Sequence, residues 1–109
     1  MDSPETLVRA FYDALDEHAY DDLRGLLDPA FVQERPDRTF EGREAFVAFM
    51  RDDRPQTDTT HEIERVFVEG DRAAVEGRLL DSSSEELFRF ADVHVVENGR
   101  IVHLRTYTQ

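Results

Sequence analysis

The sequence predicts a single α+β domain covering residues 1–109, in which helices pack on one face of a curved, mainly antiparallel sheet. Three observations lead to this prediction. The chain has 109 residues, which is enough for one hydrophobic core and too few for two. Apolar residues recur at helical spacing in the first half and alternate with a period of two in the second half. Short polar connections join the alternating segments, which makes them antiparallel neighbours.

Three helices are predicted before the alternating segments begin. Ser3 or Asp2 can cap the first helix, because each offers a side-chain oxygen to the free N–H groups of the first turn. Pro29 ends the second helix, since the residue before a proline disfavours helical backbone. The predicted helices run from residue 4 to about residues 18–19, from 21 to 27 and from 43 to 51.

Five strands are predicted from runs of alternating apolar residues bounded by glycine, proline, asparagine or aspartate. A sixth segment, residues 39–42, is predicted to be a turn that could contain one bridge of strand. The sequence shows no internal repeat and no linker, which favours one continuous sheet. The predicted strands are residues 31–35, 62–68, 72–80, 86–96 and 100–108.

The composition excludes several classes of partner and chemistry. The 25 acidic residues outnumber the 13 basic residues, and the net charge of −12 disfavours nucleic acid and anionic membrane surfaces. All basic residues are arginine, and an acidic chain without lysine is typical of a halophile that accumulates salt, the alternative being an acidic mesophilic protein. The absence of cysteine excludes disulfides, thiol catalysis and cysteine-based zinc sites.

No targeting segment is visible, and the protein is therefore predicted to be cytoplasmic. The first residues contain neither a basic region nor an apolar core of a signal peptide. The longest apolar run, residues 45–50, is far shorter than the roughly 20 residues that span a bilayer.

Five stretches of the chain resemble the NTF2-like superfamily, in particular its SnoaL-like and ketosteroid-isomerase-like domains. The resemblance implies a cone-shaped α+β fold in which a strongly curved sheet and about three helices enclose a pocket. It also implies a homodimer formed through the sheet. The matching stretches cover nearly the whole chain in the order of the family: residues 10–15, 20–29, 40–46, 66–72 and 97–107.

The resemblance also implies positions for catalytic groups, most of which this chain lacks. The phenol of ketosteroid isomerases falls on Phe11, their general base on Arg35 and a supporting tyrosine on Met50. Their oxyanion-binding aspartate falls on Asp92, which is retained. In domains similar to limonene-epoxide hydrolases, a catalytic aspartate falls on Thr106. The resemblance therefore implies neither of these two mechanisms in its complete form.

Asp92 and His94 are the predicted catalytic residues. Alternation along the strand places both on one face with Phe88 and Phe90. A carboxylate among phenylalanines is costly unless it is paired or protonated, and a protonated one is a hydrogen-bond donor or a general acid. His94 could orient this acid or exchange protons with it. The alternative is a satisfied Asp–His or Asp–Arg pair without any chemistry.

The hairpin at residues 96–100 decides which side chains face Asp92. A two-residue turn at residues 98–99 would place Asp92 opposite Arg105, and would gather Asp92, His94 and His103 as potential metal ligands. A three-residue turn would place Asp92 opposite Leu104 instead. The family resemblance favours the three-residue turn, and no metal or other cofactor is predicted. In that register the pocket side carries Phe90, Asp92, His94, Val102, Leu104 and Thr106, and the outer side carries Ile101, His103, Arg105 and Tyr107.

A ligand pocket is predicted to combine an apolar wall with one cation. The guanidinium of Arg35 could bind a carboxylate or phosphate at the pocket mouth, unless it forms a salt bridge to Asp92, Asp37 or Glu34. His18 and His61 fall at helix and strand ends, where they are expected to be exposed, and are assigned no role. The predicted ligand-binding residues, whose alternative role is simple core packing, are Phe11, Phe46, Phe49, Met50, Phe90, Leu104 and Thr106, together with Arg35.

These residues indicate a protein that binds a small ligand, either partly apolar or carboxylate-bearing. Acid–base chemistry of an isomerase or cyclase type by Asp92 and His94 is the first functional hypothesis. The second is a non-enzymatic dimeric module that binds a metabolite or another protein, which the missing base and phenol favour. Either protein is expected to be a homodimer that binds neither nucleic acid nor membrane.

Overall fold

The computed structural model describes residues 3–109, which form three α-helices and one six-stranded sheet. The third helix continues directly into a π-helical turn at Phe49–Asp53. The helices are α1 (Pro4–Asp16), α2 (Tyr20–Leu26) and α3 (Arg43–Ala48). The strands are β1 (Leu27–Glu34), β2 (Thr39–Glu41), β3 (Thr60–Glu69), β4 (Arg72–Leu80), β5 (Glu86–Glu97) and β6 (Arg100–Thr108).

Helix α1 begins where the sequence predicts it. The Ser3 hydroxyl accepts a hydrogen bond of 3.2 Å from the backbone N–H of Thr6, and Pro4 occupies the first turn. Asp2, the other predicted cap, lies outside the described residues. The helix ends at Asp16, earlier than predicted, and His18 beyond it has left-handed backbone with φ of 58°. Its buried face consists of Leu7, Val8, Phe11, Tyr12, Ala14 and Leu15.

Strand β1 begins at Leu27, immediately after α2, although the sequence predicted a start at residue 31. Pro29 was expected to separate the two elements. Pairing with β6 is interrupted between Leu27 and Val32, so that Pro29 lies where no regular ladder requires its missing N–H.

The six strands form a curved, unclosed sheet in the order β2-β1-β6-β5-β4-β3. Only β1 and β6 pair in parallel, and the helices cover one face, which confirms the predicted α+β architecture. Gly77 in β4 allows the backbone of β3 and the Phe90 ring to pack closely against it. A Cβ at this position would lie 2.5 Å from the Glu62 carbonyl oxygen and 3.0 Å from the Phe90 ring. None of the helices within residues 3–109 is long and apolar enough to span a membrane.

The β5–β6 hairpin follows neither of the two predicted registers. Its turn has two residues, Asn98 and Gly99, with φ of 52° and 76°, and the predicted three-residue turn is therefore wrong. Val102 is an additional residue in β6, so that Val96 pairs with Ile101 but Val95 pairs with His103.

This bulge sets the two faces of β6. Beyond it, His94 pairs with Leu104 and Asp92 pairs with Thr106, and all four residues lie on the inner face, as the resemblance implied. Ile101, which was predicted to face outward, is fully buried in the core because it precedes the bulge.

Candidate functional site

A cavity of about 280 Å³ lies between the concave face of the sheet and helices α1 and α3. Most of its lining is apolar, which suits the packing of rings and aliphatic groups. Its polar lining includes Gln33, Asp92 and Thr106, which are contributed by β1, β5 and β6. The deep apolar wall consists of Phe11, Leu15, Phe46, Met50, Phe90 and Leu104.

The structure brings most of the predicted site residues to this cavity. Phe49 and His94 are the two that do not line it. Phe49 begins the π-helical turn and packs instead on Phe40 of β2, with ring centroids 4.8 Å apart. His94 is on the inner face of the sheet but is completely covered, since α1 packs over it. The residues that do line the cavity are Phe11, Arg35, Phe46, Met50, Phe90, Asp92, Leu104 and Thr106.

A phenol hydroxyl joins Asp92 and His94. The Tyr12 hydroxyl lies 2.6 Å from Oδ2 of Asp92 and 2.8 Å from Nε2 of His94. The resemblance placed the phenol position of ketosteroid isomerases on Phe11, which has no hydroxyl, whereas in the structure the next residue, Tyr12, supplies a hydroxyl at Asp92. Phe11 and Tyr12 both face the sheet, because the buried face of α1 is wide enough to include successive residues. The spacing of Val8, Phe11, Tyr12 and Leu15 was the available signal.

The hydrogen-bond partners determine which atoms of this cluster carry protons. Tyr12 has one proton, which it donates to the Asp92 carboxyl, and its oxygen then accepts from Nε2–H of His94. Burial lowers the pKa of His94 to about 3, so that the ring is neutral. Burial, followed by the neighbouring Asp92, raises the pKa of Tyr12 well above its usual range. The phenol therefore stays protonated and holds the Asp92 carboxyl in one orientation.

Asp92 has one oxygen held and one oxygen free. Its Oδ1 is buried and has no hydrogen-bond partner within residues 3–109. Burial raises the pKa of Asp92, whereas the Tyr12 and Thr106 hydroxyls and the charges of His61 and Arg35 act in the opposite direction. Gln33 donates a 3.0 Å hydrogen bond from Nε2 to the Thr106 hydroxyl oxygen, which leaves the Thr106 proton available beside Asp92.

His61 lines the same cavity, although the sequence assigned it no role and an exposed position. Its Nδ1 lies 2.6 Å from Oδ1 of Asp16, and its backbone N–H donates to Oδ2 of the same carboxylate over 2.9 Å. The His61 ring packs against Tyr12 and Phe90, with centroid distances of 5.3 Å and 5.7 Å. Ile63, two residues along β3, packs on the core, and this alternation was the signal that could have placed His61 inside.

Two arginines line the cavity among its more exposed residues. Arg35 has a carboxylate partner already, since its Nε lies 3.1 Å from Asp37. Arg54 donates to the neutral Tyr20 hydroxyl over 3.0 Å, and its buried Nε has no acceptor within residues 3–109. Of the two, Arg54 is the guanidinium without a carboxylate in the described part of the chain.

The potential metal ligands of the alternative register do not come together. His103 lies on the outer face, where its Nε2 is 2.6 Å from Oε2 of Glu34. Arg105 binds the same carboxylate oxygen over 2.8 Å. Among the described residues, no group of three histidine or acidic side chains is arranged to hold a metal ion.

Comparison with known proteins identifies the family. The family model of the SnoaL-like domain matches residues 8–104. The chain belongs to the SnoaL-like domain family. No curated protein matches the sequence.

Solved structures share the fold of this SnoaL-like domain. An NTF2-like protein of unknown function from Cytophaga hutchinsonii has a TM-score of 0.86 at 18% identity, covering 100% of this chain and 92% of that chain. A putative polyketide cyclase from Sinorhizobium meliloti has a TM-score of 0.82 at 19% identity, with 94% of each chain covered. An LEH-like epoxide hydrolase from M. tuberculosis has a TM-score of 0.84 at 22% identity, covering 97% of this chain and 82% of that chain.

Proposed function

We propose that this SnoaL-like domain binds one small, largely apolar molecule in its cavity, and that Asp92 performs acid–base chemistry of an isomerase or cyclase type on it. The observation that carries the proposal is the free Oδ1 of Asp92, buried deep in an apolar cavity while Tyr12 holds Oδ2. A buried polar atom without a partner is costly, and a ligand carbonyl or hydroxyl would satisfy it.

The environment of Asp92 suits a proton donor. Because burial raises the pKa of this carboxyl, it retains its proton to a higher pH than an exposed aspartate does. Tyr12 donates to Oδ2, so the acid proton of the protonated carboxyl lies on Oδ1. Such an acid can donate a hydrogen bond to a carbonyl oxygen and stabilise the charge that develops there. His94 contributes by positioning Tyr12, since it does not line the cavity.

The cavity volume limits the size of the ligand. An engineered cavity of about 150 Å³ accommodates benzene. The present cavity of about 280 Å³ therefore suits a molecule of two fused rings. Bicyclic probes are accordingly the appropriate ligands for a first test.

The test compares a bicyclic ketone with its hydrocarbon. We expect 2-tetralone to bind the wild-type protein in molar KCl, and Asp92→Leu to bind it at least about fivefold more weakly, which corresponds to one lost hydrogen bond. Tetralin, which lacks the carbonyl, should bind both proteins equally. Asp71→Leu, in the exposed β3–β4 turn, is the control and should change neither affinity. Equal weakening for both ligands, or no binding of 2-tetralone, would contradict the proposal.

The acid–base part of the proposal has a separate readout. In D₂O, the wild-type protein should accelerate exchange of the α-hydrogens of 2-tetralone, followed by proton NMR. Asp92→Asn preserves the shape of the side chain but removes its acid proton, and it should slow the exchange by about 100-fold. Binding without any acceleration would instead support the second hypothesis, a non-enzymatic binding module, which Arg35 at the family's base position favours.

We also propose that the ligand carries a carboxylate at the cavity mouth, bound by Arg54 rather than by the predicted Arg35. Arg35 is already paired with Asp37, whereas the Nε of Arg54 has no acceptor among residues 3–109. A charged hydrogen bond contributes about 1.5–3 kcal/mol, so Arg54→Gln should weaken binding of 2-naphthoate roughly tenfold or more. Naphthalene binding should not change, and Arg35→Gln should have the smaller effect on 2-naphthoate. An equal or larger effect of Arg35→Gln would refute this assignment.

A further inference from the structure

Two acid–base groups of different kinds line one cavity. Asp92 is contributed by β5, and His61 is the second residue of β3. The His61 ring packs against Tyr12, with ring centroids 5.3 Å apart, and the Tyr12 hydroxyl lies 2.6 Å from Oδ2 of Asp92. Isomerisation needs one group that removes a proton from carbon and another that donates to oxygen. The proposed function uses Asp92 as the group that donates to oxygen. Together, His61 and Asp92 supply both the base and the donor.

Asp16 fixes the proton positions of His61. A carboxylate can only accept hydrogen bonds, so the His61 ring nitrogen 2.6 Å from Asp16 must be Nδ1–H. In the neutral ring the lone pair is then on Nε2, and Nε2 makes no hydrogen bond within the described part of the chain. This is the tautomer of a base that accepts a proton at Nε2.

The same carboxylate restrains the residue as a whole. Asp16 accepts from the backbone N–H of His61 as well as from its ring, so that α1 and β3 are joined at this point. Both side chains are sheltered, with 18% and 16% of their surfaces exposed for Asp16 and His61. An imidazolium formed at His61 would be stabilised by the adjacent Asp16 carboxylate, which lowers the cost of proton abstraction.

We propose that His61, positioned by Asp16, is the base that removes a carbon-bound proton next to the ligand carbonyl while Asp92 donates to the carbonyl oxygen. This inference rests on the proposed function and adds its substrate class, a compact, largely apolar ketone. The C–H bond breaks and its proton moves to Nε2 of His61. The electron pair forms a C=C bond, and the oxygen takes the proton of Asp92 to give an enol. The His61 proton then moves to the same or another carbon, and the enol oxygen returns its proton to Asp92, which regenerates both groups without a co-reactant.

The first test measures the base directly. Exchange of the α-hydrogens of 2-tetralone in D₂O should be slowed by about 100-fold or more in His61→Gln, because a general base contributes about that factor or more. The matched control is His103→Gln, a histidine that also binds a carboxylate, Glu34, but lies on the outer face of the sheet. This control should exchange at the wild-type rate.

The second test distinguishes positioning by Asp16 from a merely structural role. Long-range ¹H–¹⁵N spectra of the wild-type protein should show the His61 ring as the Nδ1–H tautomer, and Asp16→Asn should lose this signature together with most of the exchange. An Nε2–H tautomer in the wild-type protein would overturn the proposal, even if a variant failed to fold.

Ligand binding and hydrogen exchange test different residues, so that a failure of the proposed function is distinguished from a failure of the His61 assignment. If wild-type protein does not bind 2-tetralone in preference to tetralin, the proposed function fails. If it binds 2-tetralone and exchange depends on Asp92 but not on His61, the assignment of His61 fails while the proposed function stands.

Discussion

Replacing Tyr12 by phenylalanine tests the buried cluster at the base of the cavity. The change removes the hydroxyl from between Asp92 and His94 but retains the ring, which packs against Phe11 and Phe90. Oδ2 of Asp92 and Nε2 of His94 then have no partner within residues 3–109. Because the Tyr12 hydroxyl favours the ionised carboxyl, its removal should raise the pKa of Asp92 further.

The expected loss of stability depends on pH. A buried neutral hydrogen bond contributes about 1 kcal/mol and one to a charged group about 1.5–3 kcal/mol. Because the folded-state pKa of Asp92 is raised, its contribution to stability is complete below the unfolded-state pKa and is lost as pH rises through the folded-state pKa. A further rise in Tyr12→Phe enlarges this loss. We therefore expect the variant to lose about 1 kcal/mol at about pH 4 and roughly 2–3 kcal/mol at about pH 8.

Urea unfolding at the two pH values, in molar KCl, measures these differences. The neutral buried His94 also makes stability depend on pH, but it does so in both proteins and largely cancels from the comparison. Ser82→Ala, which also removes one hydroxyl but lies in the exposed turn between β4 and β5, is the control and should change stability by less than about 0.5 kcal/mol. An equal loss at both pH values for Tyr12→Phe, or a loss no larger than that of the control, would refute the reasoning.

Three further predictions concern the whole domain. With a net charge of −12 and no lysine, the melting temperature should rise markedly between about 0.1 M and 2 M KCl as charges are screened, and a constant value would remove the argument for a halophile. A homodimer through the sheet is expected from the outer face, on which Tyr107 is 52% exposed and Phe67 55% exposed, and a monomer mass by light scattering in high salt would exclude it. Gly77→Ala should destabilise the fold by about 1–3 kcal/mol in urea unfolding, because its Cβ meets the Glu62 carbonyl, whereas Gly25→Ala, with open space at its Cβ, should not.

The sequence by itself determined the elements and their order. Strands β4 and β6 have the predicted bounds, because the alternation of apolar residues directly reflects the geometry of an extended backbone. The capping by Ser3 is equally local, since its hydroxyl reaches an N–H only three residues away. The position of Asp92 on an apolar inner face also followed from alternation, and this located one half of the candidate site.

Only the tertiary structure decided which polar groups meet. Tyr12 and Asp92 are 80 residues apart in the chain, and Asp16 and His61 are 45 apart, so no local spacing relates them. Both contacts require α1 to lie at one position across the sheet, because a displacement as long as a hydrogen bond would break them. Local patterns encode which face a side chain occupies, whereas a shift of one residue at the Val102 bulge changes every partner beyond it. Burial of both Ile101 and Leu104, which a regular strand would place on opposite faces, is the physical reason for that bulge.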